Sequence, residues 1–212
     1  FTNDLEFYGE LAQTGLTVSD DDRNGTFRFY HMYGAHSPYN MTEELQPLDS
    51  TKGMDPRNIM VSQAKGSMKI VYEYIRQLKE LGLYDDATII ITADHGHNYL
   101  LEEERIKEAE LLNFRETSNP ILFVKKANHK NENGLEISLA PISHTDLPAT
   151  VMEAVVGDAS GYGKTVSDYA EGEVRERKFL YGRSDISYRE FLIKGDVRDI
   201  NNWELLWETK AQ

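Results

Sequence analysis

Apolar residues recur at Met60, Ala64, Met68, Val71, Ile75, Leu78 and Leu81. That spacing of three to four predicts an amphipathic helix of about six turns. Asp55 suits its cap, Pro56 its first position and Gly82 its stop. Residues 88–92 (TIIIT) then run without polar alternation. Such a run predicts a strand buried on both faces, as in the centre of a parallel or mixed sheet covered by helices. A second short buried strand is expected at 120–124 (PILFV). Earlier, 5–12 reads as a short helix, 19–25 as an acidic loop and 26–33 (TFRFYHMY) as an aromatic, β-prone strand. Gly34 and Pro38 break that strand. Residues 100–112 read as a charged helix and 129–134 as a polar turn. A helix opens within 143–150 and continues to Val156, with Thr145 or Asp146 as cap, and a loop follows at 157–163. The tail, 178–181, 188–194 and 203–207, predicts antiparallel edge strands with turns at Gly182 and at Gly195-Asp196. Strands and helices alternate through most of the chain, so the expected class is α/β, in one domain over 1–212.

Composition narrows the function. The chain has 212 residues, enough for one sizeable core. No apolar run approaches the ~20 residues that span a bilayer, and the first residues carry neither the basic start nor the apolar stretch of a signal peptide. The first residue is Phe1, which suggests a piece of something longer. With 36 acids against 23 bases the formal net charge is −13, which argues against nucleic acid as the main partner. It leaves room for a small anionic substrate held through a metal. Cysteine is absent, so there is no disulfide framework and no thiol chemistry. Asn24-Gly-Thr and Asn40-Met-Thr match glycosylation acceptors, a pattern common by chance.

The chemistry gathers where strands are expected to end, the usual place for ligands in open α/β sheets. Asp94, His95 and Gly96 follow the expected strand at 88–92. A carboxylate and an imidazole are ordinary ligands of a divalent metal, and Gly96 allows the sharp turn that lets neighbours share one ion. The alternative is that Asp94 caps a turn and His95 lies on the surface. His97 is a candidate for substrate contact or an outer ligand contact, or is plain surface. A second cluster, 30–39 (YHMYGAHSPY), delivers His31 and His36 into a loop. A histidine there can donate to an anionic oxygen or act as general acid; His31 also suits a packed strand position. His144, just ahead of a helix start, is a candidate to bind an anion or ligate a metal, or is a pre-cap residue.

These segments resemble the alkaline-phosphatase superfamily in its sulfatase-like branch, which includes sulfatases, lipoteichoic-acid synthases and phosphoethanolamine transferases. HMYGAHSPY at 31–39 is similar to the "H-x-x-G-x-H-x-P-Y" loop of lipid-headgroup phosphotransferases. LKELGLYDD at 78–86 resembles the "L-x-x-x-G-L-x-D-N-T" connector. TIIITADHG at 88–96 resembles the metal motif that ends in "D-H-G". SHTDLPAT at 143–150 resembles the late "x-D-L-x-P-T" helix start, with Ala149 where proline usually stands. The match covers about 26–157, and 176–212 forms an antiparallel extension.

The resemblance implies a partial three-layer α/β/α sandwich with Asp94 and His95 as metal ligands. It implies that His36 contacts the phosphate or sulfate and His31 assists. The metal would be Zn, Mn or Mg, or Ca in a true sulfatase. The family's nucleophile and further acidic ligands lie in an N-terminal half that has no counterpart in this chain, so no nucleophile is expected here and the fragment alone should be inactive. The expected function is a metal-dependent hydrolase or transferase acting on phosphate or sulfate esters of cell-envelope lipids or glycans, outside the cytoplasm and possibly anchored upstream of Phe1. A glycan sulfatase is the first alternative; Phe27, Phe29, Tyr30, Tyr33 and Tyr39 could stack on sugars or simply pack. A non-catalytic binding module that keeps the fold is the second.

Overall fold

Asn3 opens the first helix by accepting hydrogen bonds from the Leu5 and Glu6 amides at 3.1 and 3.3 Å. Helix α1 runs Asp4–Gln13, where the sequence placed it. The computed structural model describes residues 3–19, 25–97, 117–130, 132–183 and 187–209. The charged helix expected at 100–112, most of the acidic loop and the Asn24 acceptor lie outside the described residues. The chain divides into two compact units, Phe1–Ala87 and Thr88–Gln212.

In the first unit, α2 runs Pro56–Glu80, and Asp55 accepts from the Asn58 amide at 2.8 Å. The helix is as expected, but its buried face is not. The buried residues are Ile59, Gln63, Gly66, Ile70 and Gln77, one stripe at helical spacing. The expected stripe is half-buried at best, and its Met68 and Leu81 are exposed. Polar residues enter the buried stripe because loop backbone must be satisfied there. Gln77 accepts from the Leu16 amide at 2.7 Å and donates to the Leu11 carbonyl at 2.8 Å, tying the end of α1 to α2. Gly66 lets the 41–42 segment close on the helix. A Cβ there would stand 2.6 Å from the Thr42 carbonyl oxygen and 3.0 Å from Met41 Cε.

Residues 26–33 do not form the expected strand. Only Met32 makes an isolated bridge, and residues 25–31 are exposed. β-propensity measures fit to a paired, half-buried surface, and no ladder is present among the described residues to supply one.

The second unit begins with β1 (Ile89–Thr92) and β2 (Leu122–Lys125). They pair antiparallel, Ile90 against Val124 and Ile91 against Phe123, and among the described residues no parallel neighbour joins them. Both strands are half-buried rather than enclosed on two faces. Thr92 Oγ1 donates to the Ile121 carbonyl at 2.9 Å, and Thr88 Oγ1 accepts from the Ala127 amide at 3.1 Å, so hydroxyls pin both ends of the pair.

The expected tail strands form a sheet in the order β3-β4-β5, all antiparallel: β3 Glu176–Arg183, β4 Ser187–Lys194 and β5 Trp203–Glu208. One face carries Phe179 opposite Phe191, with Trp203 edge-on to both at 5.9 and 5.5 Å. Gly182 sits within β3 opposite Tyr188 rather than in the turn. Gly195 does follow β4, as expected.

A single 3-10 turn, His144–Asp146, leads into α3 (Leu147–Val156). Asp146 holds the N-cap position of α3, as expected, but without a side-chain cap bond to the helix, and Ser143 caps the 3-10 turn ahead of it. The Ser143 side chain and the Asp146 carboxylate form a reciprocal capping box. Asp146 is otherwise committed to Arg175, which binds it bidentately at 2.6 and 2.9 Å, and to the Tyr169 hydroxyl at 3.3 Å. The Arg175 guanidinium also lies 4.2 Å from the centre of the Tyr169 ring. The chain is thus a mixed α/β protein of helices and antiparallel sheets. Among the described residues, no helix is long and apolar enough to cross a membrane.

Candidate functional site

The histidine loop lies in the first unit, held by two buried polar residues that the sequence reading passed over. Asp4, 5% exposed, accepts from the successive amides of Tyr33 at 2.8 Å and Gly34 at 3.0 Å. Gly34 makes that geometry possible with φ +61°. Gln63, 1% exposed, donates to the carbonyls of Gly34 at 2.7 Å and His36 at 3.0 Å. Its oxygen accepts from the amides of Asn40 at 2.8 Å and Met41 at 3.1 Å. All four hydrogen-bonding positions of that amide are used. Each buried group left unmatched costs about 1–3 kcal/mol, so the loop's path is strongly specified. Nothing in the sequence marked Gln63, because the apolar stripe of α2 put the inward face elsewhere.

His36 itself is exposed. Its Nδ1 hydrogen-bonds to the Ser37 carbonyl. A carbonyl only accepts, so Nδ1 carries the proton and the neutral ring holds its lone pair at Nε2. The Tyr33 ring lies edge-on at 5.4 Å, and its hydroxyl donates to the same Ser37 oxygen at 2.6 Å. His31 is exposed with its ring 6.4 Å from Phe29.

Asp94 and His95 lie in the second unit, directly after β1. The Asp94 carboxylate accepts from the His95 amide at 3.0 Å, the local turn expected of an Asp at a strand end. His95 Nδ1 lies 2.6 Å from the Gly96 carbonyl, which again places the proton on Nδ1. His95 Nε2 then stands 3.8 Å from Asp94 Oδ2. The side chains are 80% (Asp94) and 53% (His95) exposed. The Gly96 amide donates to the Thr117 carbonyl at 2.8 Å and fixes the turn. His97 is exposed beyond it, and His144 is exposed in the 3-10 turn ahead of α3. The structure therefore brings Asp94 and His95 together and sets His36 on a braced loop.

Nitrogen and oxygen donors on adjacent residues suit zinc or another divalent ion. A Nδ1–H bonded to backbone is the usual support for a ligating Nε2. The pair fits a metal in type and orientation, though it provides two donors only. Among the described residues, no three His, Asp or Glu side chains converge as a metal group. No protein-family model matches this chain, and no curated protein is similar to it.

Proposed function

We propose that this chain is the C-terminal part of a metal-dependent hydrolase or transferase of phosphate or sulfate esters, built on the three-layer sandwich of the sulfatase-like branch. The observation that carries the reading is the His95–Asp94 pair. His95 Nδ1 is held by the Gly96 carbonyl, so Nε2 is the ring nitrogen turned toward the Asp94 carboxylate, 3.8 Å away. An imidazole nitrogen and a carboxylate oxygen at that spacing are two donors of the types that a divalent ion takes. Asp94 and His95 would hold the metal, Zn, Mn or Mg in a phosphotransferase and Ca in a sulfatase. A bound metal supplies charge that neutralises the transferred group and lowers the pKa of a nucleophilic hydroxyl.

The chain's own residues supply proton handling. The proton that His36 gives or takes sits at Nε2, since Nδ1 is committed to Ser37. The imidazolium can protonate a leaving oxygen or donate to a non-bridging one. His31, His97 and His144 are further candidates for anion contact. Cell-envelope phosphoesters linked to lipid or glycan are the proposed substrates, and the proposed location is outside the cytoplasm.

Exposed apolar side chains in each unit support a reading in which the whole protein contains more of the domain than this chain. Phe27 and Phe29 are 61% and 78% exposed, and Leu135, Ile137 and Leu139 are 73%, 81% and 60% exposed. Residues 25–31 and 132–139 are exposed throughout, so these apolar side chains lie bare beside their polar neighbours. An N-terminal half carrying the nucleophile would cover them.

The test is ester hydrolysis by a chain extended upstream. Its metal is stripped, Zn, Mn, Mg or Ca is restored in turn, and aryl phosphomonoester, phosphodiester and sulfate substrates are offered. Metal-dependent turnover that Asp94→Ala abolishes is the expected result, and the preferred ester selects the branch. Turnover that persists unchanged in Asp94→Ala would sink the assignment of the metal site.

A further inference from the structure

We propose that Asp4 and Gln63 are positioning residues for His36. They hold the 33–41 loop so that the imidazole keeps its proton on Nδ1 and presents Nε2 to substrate. The catalytic meaning of this rests on the function proposed above; the positioning itself does not.

The argument starts from placement. Asp4 lies in the first turn of α1 and Gln63 two turns into α2. Neither has an exposed surface to offer a ligand, and both direct their polar atoms at loop backbone rather than at each other. Asp4 takes the two amides before His36, at Tyr33 and Gly34. Gln63 takes the carbonyls of Gly34 and of His36 itself, and then the amides of Asn40 and Met41. Backbone is thus fixed on both sides of the histidine. Ser67 Oγ lies between the two, 3.4 Å from Asp4 Oδ2 and 3.2 Å from the Gln63 carbonyl, with one proton to serve either.

The consequence reaches the ring through one short path. Gln63 fixes the His36 carbonyl, and the next carbonyl, that of Ser37, is the acceptor for His36 Nδ1. If release of the His36 carbonyl lets the backbone turn at Ser37, the Ser37 oxygen, which belongs to the next peptide, leaves the ring and the proton is free to move to Nε2. A neutral histidine protonated on Nε2 takes up its further proton at Nδ1, so the proton that His36 gives or takes no longer sits on the nitrogen presented to substrate. Core packing alone needs no such arrangement. Four hydrogen bonds from one buried amide to one loop specify an orientation that an apolar residue at 63 would leave open.

The same helix supplies its own control. Gln77 is buried on the same face of α2 and bonds two backbone groups, but those belong to the end of α1 and to Leu16. Substitution there removes comparable interactions without touching the histidine loop.

The experiment is ring-nitrogen NMR of the histidines in this chain, which reads the tautomer directly without turnover. Wild type, Asp4→Asn, Gln63→Glu, Gln63→Leu and Gln77→Leu are compared, each first shown to keep wild-type helical circular dichroism. Gln63→Glu keeps the acceptor for Asn40 and Met41 but loses both donors, and Asp4→Asn is the mildest change should the others fail to fold. The expected result is a Nδ1–H His36 in wild type and in Gln77→Leu. Asp4→Asn and the Gln63 variants should show a mixture or the Nε2–H form. A folded Gln63 variant and a folded Asp4→Asn that both keep the wild-type His36 signature would overturn the proposal, as would an equal shift in Gln77→Leu. In the extended enzyme, Gln63→Glu should lower kcat by on the order of a hundredfold with KM little changed. The tautomer decides the positioning claim and ester turnover decides the reaction, so either can fail alone.

Discussion

His95 Nε2 stands 3.8 Å from Asp94 Oδ2 while His95 Nδ1 is held by the Gly96 carbonyl. The ring is therefore oriented from behind and its free nitrogen faces a carboxylate. Two donors on one ion lie about 3.3 Å apart when each is about 2.0–2.1 Å from the metal in tetrahedral geometry, so closing on a cation needs only a small side-chain adjustment. The expected outcome is that Zn or Mn shifts the His95 ring resonances of this chain, and that Asp94→Ala weakens the binding by about tenfold or more. Calorimetry and ring-nitrogen NMR check this together. Binding that ignores Asp94→Ala would place the ion elsewhere.

Much of the local structure was legible because it depends on neighbours in sequence. Asn3, Asp55-Pro56 and Gly195 act within a few residues, so α1, α2 and the tail turn fall where expected. The tail strands were equally legible from alternation: Phe179, Phe191 and Trp203 share one face. What failed depends on partners distant in the chain. Residues 26–33 have strand propensity but no ladder among the described residues. β1 has the apolar run of a strand enclosed on both faces yet is only half-buried. The histidine loop was legible as chemistry through His36, but its support was not. Asp4 reads as an ordinary first-turn acid, and Gln63 as a polar helix residue, until the fold brings residues 33–41 against them. Asp146 was legible as the N-cap of α3, but not the commitment of its carboxylate to Arg175 from 29 residues later.

Gly66 should tolerate no larger residue. In an exposed helix Ala would gain about 1 kcal/mol over Gly. Here its Cβ meets the Thr42 carbonyl oxygen at 2.6 Å and Met41 Cε at 3.0 Å. That carbonyl is backbone whose own amide is bonded to Gln46 at 2.9 Å, so it cannot simply swing aside. Gly66→Ala should destabilise the first unit by about 1–3 kcal/mol, read as a lower urea midpoint. A variant as stable as wild type would show that the 41–42 segment does not pack on α2.

Asp146 should be among the most sensitive positions of the second unit. Its side chain is 4% exposed, and it answers Arg175, the Ser143 amide and the Tyr169 hydroxyl. Asp146→Ala leaves the Arg175 charge without its bidentate partner, beside Arg177, whose pKa is lowered by burial and by Arg175. The expected loss is about 3–5 kcal/mol, with amide-exchange protection of α3 falling first because its capping box goes as well. Thermal unfolding and hydrogen exchange check both. A loss below about 1 kcal/mol would mean the pair is solvated in solution.

Glu73 sets an acid limit on the first unit. Hydrogen bonds from Arg76, and then from Gln77, hold its carboxyl at about 2, below the ordinary value of 4.5. Its folded pKa is depressed, so its contribution to stability is fully present above about 4.5. That contribution is lost as pH falls through the interval and is gone only below about 2. The loss travels further than the ion pair. Glu73 Oε1 accepts from Gln77 Nε2 at 2.7 Å, and the same nitrogen donates to the Leu11 carbonyl at 2.8 Å. Protonating Glu73 therefore loosens the residue that ties the end of α1 to α2. Carboxyl-carbon NMR should give Glu73 a midpoint near 2. Across the same window the stability advantage of wild type over Glu73→Gln should shrink, and the Leu16 amide, which donates to Gln77, should lose protection in step with it. A midpoint near 4.5 would show that Arg76 and Gln77 do not hold Glu73 in solution, and the acid limit would then have to come from other carboxylates.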